Sequence, residues 1–235
     1  YDNLVLRTKE TKVFYWNPVA FWNGCVTPNM TKWAQYPYNA LVYLGYTVHH
    51  TGGSCSVNTS TGDVVVYTYQ ELTNFNMLDY DFIYVNAPAM TLSENDKATL
   101  LAFLNNGGRI FIQCEDSINW FNKMNEKASQ MATELGADFT INISESIQPN
   151  AEGYSNTCVI GSNGGAETLM SGLGNYDAYW ASPVDSTSDS VTALASANSY
   201  KLGTNKLPTT EFTGVKPWLV DQFAGNKNGA KWGSL

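Results

Sequence analysis

Residues 80–113, YDFIYVNAPAMTLSENDKATLLAFLNNGGRIFIQ, restrict the possible folds more than any other part of the chain. Residues 80–86 are rich in aromatic and β-branched side chains and read as a strand. Ser93, followed three residues later by Asp96, resembles the capping box that opens a helix. Ala98, Leu100, Leu101 and Leu104 then recur at helical spacing as far as Asn105. Gly107-Gly108 stops that helix, and residues 109–113 form the next strand. Two strands joined through a helix by short links pair in parallel with a right-handed crossover, and a parallel sheet needs helices over both faces.

The flanking segments extend this unit. Residues 12–16 (KVFYW) read as a first strand ended by Asn17-Pro18. Thr31 is placed to cap a helix over residues 32–44, with Pro37 in its first turns or kinking it and Gly45 at its end, and a strand over 46–50 follows. Residues 63–69 read as an edge hairpin or a continuation of that second strand. A helix over about residues 122–135, capped by Gly136, leads to 137–141, which are expected to re-enter the sheet. From residue 142 the periodicity weakens, and short strands and loops wrapped on the sheet are expected. The turn Gly225-Asn226-Lys227-Asn228-Gly229 points to one more strand beginning near Trp232. The end is therefore expected to be either a cut in a longer chain or a place where a neighbouring subunit or further domain completes an open sheet edge. The whole reads as one α/β domain over residues 1–235. Its expected architecture is a three-layer sandwich with a mainly parallel central sheet and an irregular C-terminal third.

The stretch YDFIYVNAPAMTLSENDKATLLAFLNNGGRIFIQCED resembles the middle of the class I glutamine amidotransferase-like superfamily, a flavodoxin-like α/β group. MNEKASQMATELGADF is similar to the helix and Leu-Gly re-entry of its non-catalytic branches, which include ThuA-like, gliding-motility and intraflagellar-transport domains. The resemblance covers roughly residues 10–142 and implies the fold rather than an activity. In catalytic members a cysteine stands at a G-x-C-x-G elbow, where this chain has Cys114 between Ile112 and Asp116, neither a glycine. The family's base is a histidine downstream of that cysteine, whereas His49 and His50 both lie upstream. Lys123 and Lys127 could lower a thiol pKa but make poor bases while protonated. Cys114 is therefore expected to be buried or disulfide-bonded.

Glu115, Asp116 and Trp120 would lie beyond the carboxyl end of a parallel strand, where open α/β sheets bind ligands, a solvated loop being the alternative. Phe21 and Trp22 follow the first strand toward the same edge. They are candidates for stacking on a sugar or contacting another subunit, with packing under their own loop as the alternative. His49 and His50 are adjacent on a strand, point to opposite faces and cannot easily share an ion. Asp185 to Asp189 lacks the glycine and terminal glutamate of an EF-hand loop and reads as a polar turn. With no P-loop, G-x-G-x-x-G or G-x-S-x-G present, no metal and no cofactor are expected.

Net charge is −8 with only 14% charged residues, which disfavours nucleic acid and anionic membrane surfaces as partners. No apolar run is long enough to span a bilayer, so no direct membrane insertion is expected. A surface of neutral polar residues suggests an extracellular or cell-surface protein, and a start at Tyr1 is consistent with a processed chain. In that setting Cys25 and Cys55, each following one of two adjacent strands, are expected to form a disulfide, while the state of Cys114 and Cys158 stays open. Asn29, Asn58 and Asn142 head N-x-S/T triplets and are candidate glycosylation sites, though chance order supplies as many. These features lead to a non-catalytic binding or assembly module, taking glycan or other protein subunits and open to forming a homo-oligomer or polymer. The alternative is an enzyme, either a ThuA-like sugar-processing protein or a divergent cysteine hydrolase using Cys114 with Glu115.

Overall fold

The computed structural model describes residues 10–17, 32–52, 54–58, 63–68, 71–86, 88, 90–114, 122–142, 157–160, 176–177, 182, 184–198, 215–223 and 231–234. A first unit comprises β1 (Lys12–Asn17), α1 (Lys32–Tyr43) and β2 (Thr47–Gly52), and a hairpin of β3 (Ser54–Asn58) and β4 (Asp63–Thr68) follows. The second unit comprises β5 (Phe82–Asn86), α2 (Glu94–Asn105) and β6 (Arg109–Gln113). Helix α3 (Asn122–Glu134) then leads to β7 (Thr140–Ile141). The last third contributes β8 (Thr157–Ile160), β9 (Tyr176–Asp177), β10 (Val184–Asp185), β11 (Val191–Asn198), β12 (Val215–Phe223) and β13 (Lys231–Ser234).

Nine strands form one sheet in the order β2-β1-β5-β6-β13-β12-β11-β8-β9. From β2 to β13 every neighbour is parallel. From β13 to β9 every neighbour is antiparallel. The parallel part carries the expected α/β architecture, with helices on both faces. Because β1 connects through α1 to β2 on one side while β5 connects through α2 to β6 on the other, the strand order reverses between β1 and β5. Such a switch point is where open α/β sheets leave a crevice at their carboxyl edge.

The local sequence explains why the second unit forms. Ser93 Oγ accepts from the Asp96 backbone N–H at 3.1 Å and donates to Asp96 Oδ2 at 2.9 Å, which caps α2. Asp96 is buried, and its Oδ1 accepts the Leu72 N–H at 2.8 Å, tying the helix start to the preceding 3-10 turn. At the other end Gly107 takes a φ of 84°, which favours glycine. A Cβ on Gly108 would sit 2.4 Å from Phe103 Cε1, so the buried ring fixes a glycine there as well.

Alternation along the strands separates two cores. Phe14, Trp16, Ile83, Val85, Ile110 and Ile112 face α2 and α3 and pack with Leu100, Phe103, Ala128 and Met131. Val13, Tyr15 and Tyr84 face the other way, where Tyr38 and Leu41 of α1 cover them.

Two expectations need correction. Residues 140–141 do not re-enter the main sheet: β7 pairs antiparallel with β10 in a separate ribbon. That ribbon is held at its base, where Ser188 and Ser190 donate to Asp138 Oδ2 at 3.2 and 2.8 Å, Ser186 donates to the Asp138 carbonyl at 2.6 Å, and Ser129 Oγ accepts the Ile141 N–H at 3.0 Å. The place beside β6 belongs to β13, which pairs parallel with β6 and antiparallel with β12. The strand near Trp232 thus exists, but it lies in the interior of this chain's own sheet rather than marking an open edge. A strand with partners on both sides satisfies both rows of its backbone groups, which no edge position offers. For the same reason the C-terminal third is not simply wrapped on the sheet; five of its strands continue it.

Candidate functional site

The strand register assembles the site row by row on the α1 side of the sheet. The lowest row is Val48, Val13, Phe82 and Arg109. Two residues further on, His50, Tyr15, Tyr84 and Phe111 stand side by side across β2, β1, β5 and β6. Tyr15 stacks on Tyr84 with ring centroids 5.0 Å apart, Tyr84 meets Phe111 at 4.9 Å, and His50 lies 5.8 Å from Tyr15. The top row, at the carboxyl edge, is Gly52, Asn17, Asn86 and Gln113. Three primary amides therefore line the strand ends at the switch point, above a floor of aromatic rings.

The amides are tied to one another and to that floor. Asn86 Nδ2 donates to Asn17 Oδ1 at 3.0 Å, and Tyr84 Oη donates to Gln113 Oε1. Asn17 is fully buried and Asn86 nearly so. Among the described residues, three buried side-chain nitrogens have no hydrogen-bond partner: Asn17 Nδ2 and His50 Nε2 on this face and Trp16 Nε1 on the other. A buried polar atom without a partner costs about 1–3 kcal/mol, so two of them in one corner of a sheet need an account. Burial, and after it the charge of His49, lowers the His50 pKa, which keeps the imidazole neutral. Burial raises the Tyr15 phenol well above its ordinary value, and burial followed by Tyr15 does the same to Tyr84. Nothing in the two upper rows carries a formal charge near neutral pH.

Cys114 continues the other face. Its strand neighbour Gln113 belongs to the amide row, so Cys114 points to the α2 side, where it packs half-buried against the apolar core. His50 is thus on the wrong face to act as its base. His49 shares the Cys114 face, but it aligns through Phe14 and Ile83 with Ile110, three strands across and four residues short of Cys114. Strand geometry puts them about 20 Å apart. His49 Nδ1 is instead 2.6 Å from Tyr80 Oη, and its ring packs on Phe14 and Phe75. The two histidines do diverge to opposite faces as the strand alternation requires.

Phe21, Trp22, Cys25, Asn29, Glu115, Asp116 and Trp120 lie outside the described residues. Cys55 and Asn58 lie on β3, so Cys55 sits in a hairpin strand rather than in a loop trailing β2. Asn142 Nδ2, the atom a glycan would occupy, donates to Asp185 Oδ2 at 2.9 Å. Among the described residues no group of three His, Cys, Asp or Glu side chains could hold a metal ion, and no helix is long and apolar enough to cross a membrane. A cleft of about 300 Å³ lies between α3 and β7, lined by Glu126, Ser129, Gln130, Thr133, Glu134 and Ile141. Its polar side chains bond to one another, as in Gln130 Nε2 to Glu134 Oε1 at 2.7 Å, and it is remote from the switch point.

No family model and no curated sequence matches the chain. Solved structures do match. The N-terminal domain of mmIFT52 superposes with a TM-score of 0.56 at 10% identity, covering 96% of this chain and 85% of that one. A ThuA-like protein of Bacteroides uniformis ATCC 8492 gives 0.49 at 10% identity over 95% and 80%. The chain shares the α/β fold of the mmIFT52 N-terminal domain. A cold-adapted β-galactosidase from Rahnella sp. R3 contains a region of the same fold, with a TM-score of 0.52 at 13% identity over 96% of this chain and 28% of that one. At these identities the fold carries over to this chain while activities do not.

Sequence reasoning placed candidate ligand residues beyond the carboxyl ends of the parallel strands but did not single out the amide row. In the sequence Asn17 reads only as the end of a strand and Asn86 only as part of one. The available signal was that two strands of the parallel set end alike, F-Y-W-N and I-Y-V-N, each with tyrosine two residues before asparagine.

Proposed function

We propose that this chain is a non-catalytic binding and assembly module of the cell surface or extracellular space, and that its ligand site is the carboxyl edge of β1, β2, β5 and β6. The observation that carries this reading is the buried, unpartnered amide nitrogen of Asn17 at the switch point. A ligand oxygen that accepts from Asn17 Nδ2 removes a buried-donor penalty that the protein alone leaves in place. The amide and imidazole groups of the edge are neutral, so among the described residues an ionic ligand would find no counter-charge there. A neutral ligand rich in hydroxyl groups fits, because each hydroxyl both donates and accepts. Glycan is accordingly the proposed ligand class. The separation of Cys114 from both histidines supports a binding role over a thiol hydrolase, since neither imidazole stands within reach of the sulfur. The surface setting is proposed from the neutral polar composition.

The test is equilibrium binding to a panel of neutral oligosaccharides, read by calorimetry, with Asn17→Asp as the variant. This change keeps the oxygen that accepts from Asn86 and replaces the unpartnered donor with an acceptor. The native chain should bind at least one member of the panel and Asn17→Asp should bind it at least tenfold more weakly, with far-UV circular dichroism unchanged. Equal binding by both proteins, binding to no member of the panel, or hydrolysis of a panel member would each overturn the reading.

A further inference from the structure

The outer surface of α1 differs from that of α2. Tyr38 and Leu41 turn toward the sheet, which leaves Tyr36 66% exposed and Tyr43 91% exposed on the opposite side of the helix. Ala40, also exposed, lies between them. Leu44 (64%), Val42 (46%) and Tyr46 (37%) extend the apolar surface past the helix end. Every other exposed large hydrophobic residue among the described ones, namely Leu78, lies apart from this segment. The sequence around the patch has a matching property: residues 33–62 contain no Asp, Glu, Lys or Arg, in a chain of net charge −8.

We propose that the outer face of α1 is where a second copy of this chain docks, the two α1 helices crossing antiparallel at Ala40. This rests on the reading of the chain as a binding and assembly module and names the surface that assembles. Three arguments select a second copy. Tyr36 and Tyr43 are seven residues, two helical turns, apart and flank Ala40, so a two-fold axis through Ala40 lays Tyr36 of each copy beside the partner subunit's Tyr43. The small Ala40 side chain lets the helix axes approach at the crossing. Two copies of an acidic protein repel one another least where the surface is poor in charge, and residues 33–46 supply such a surface, with Glu10 beside Thr47 at its margin. The exposed side chains offer about 600 Å² per copy, against about 800 Å² per partner in a stable complex. The contact is therefore expected to be reversible, with a dissociation constant of about 10–100 µM.

Sedimentation velocity from about 1 to about 300 µM tests this, since the range brackets that constant. The native chain should shift from monomer to dimer across the series, and added salt should strengthen the dimer by screening the net charge. Tyr43→Glu and, separately, Ala40→Arg should remain monomeric at the highest concentration with unchanged circular dichroism, because both positions are exposed and neither supports the core. A native chain that stays monomeric throughout leaves this face to some other partner and overturns the proposal, as do variants that dimerise like the native protein. Asn17→Asp, run alongside, should dimerise normally. Dimerisation without sugar binding would remove the ligand site and keep this surface, whereas sugar binding by a permanent monomer would do the reverse.

Discussion

The two faces of the parallel sheet are built from the same strands and have opposite characters. On the α2 and α3 side, the residues of β1, β5 and β6 are Phe14, Trp16, Ile83, Val85, Ile110 and Ile112, closed by apolar side chains of the helices. On the α1 side, the same strands present Tyr15, Tyr84 and Phe111, and then Asn17, Asn86 and Gln113. The first face maximises apolar burial, which stabilises a fold at about 25 cal/mol per Å². The second accepts buried polar groups that stability alone does not require. On β1, β5 and β6 the amides are confined to one face and one end, apart from the apolar packing that holds the sheet together.

Substitutions on each face should behave accordingly. The largest effect is expected on the dry face. Leu100→Ala, at a fully buried α2 position, should destabilise the protein by about 3 kcal/mol in urea denaturation and leave the affinity of the remaining folded protein for oligosaccharide unchanged. On the polar face, Asn86→Leu removes the donor to Asn17 Oδ1 and should cost about 2 kcal/mol. Adding Asn17→Leu should recover most of that loss, because the orphaned amide goes with it, while sugar binding stays abolished. Recovery of stability together with binding would break the distinction between the faces.

Two smaller effects sharpen it. Tyr84→Phe removes the hydroxyl that donates to Gln113 and should cost about 1 kcal/mol, with binding weakened through the released amide. The smallest expected effect is that of pH on His50. Its folded pKa lies below the ordinary value of about 6.5, so the unfolded chain takes up the proton first. The stability it contributes is complete above that ordinary value, falls as the pH drops below it, and stops falling once the lower folded pKa is passed. Urea midpoints measured between about pH 7.5 and about pH 5 should decline less in His50→Gln than in the native chain. Equal slopes would show that His50 is not held neutral by the polar face.

How much of this was legible depended on whether the signal was local. The capping Ser93, the helical spacing of Leu100 and Leu104 and the Gly107-Gly108 stop are all near neighbours in sequence, and they located β5, α2 and β6 closely. The strand alternation in Phe14-Tyr15-Trp16 was visible too, but which face was dry depends on what the helices bring. Asn17 and Asn86 are 69 residues apart, and nothing short of the strand order sets them side by side. A polar residue at the end of an apolar run looks like a terminator, and half of the site was hidden behind that reading. Lys231–Ser234, four residues including a glycine, lacks both the length and the β-branching that would mark an interior strand.

That short strand also governs the order in which the molecule can come together. Among the described residues, the strand pairing between the parallel and the antiparallel halves of the sheet runs through β13, which aligns Lys231 with Arg109 on one side and with Phe223 on the other. The contact with β12 closes a short turn and can form quickly, whereas the contact with β6 must close a loop of more than half the chain. Loop-closure entropy makes such distant pairing slow, and parallel pairing adds to the delay. During synthesis the β2-β1-β5-β6 half can therefore fold long before its neighbour exists, and β6 waits with an unsatisfied edge until β13 emerges. The interval between those two events is when this protein is most exposed to pairing with the wrong strand.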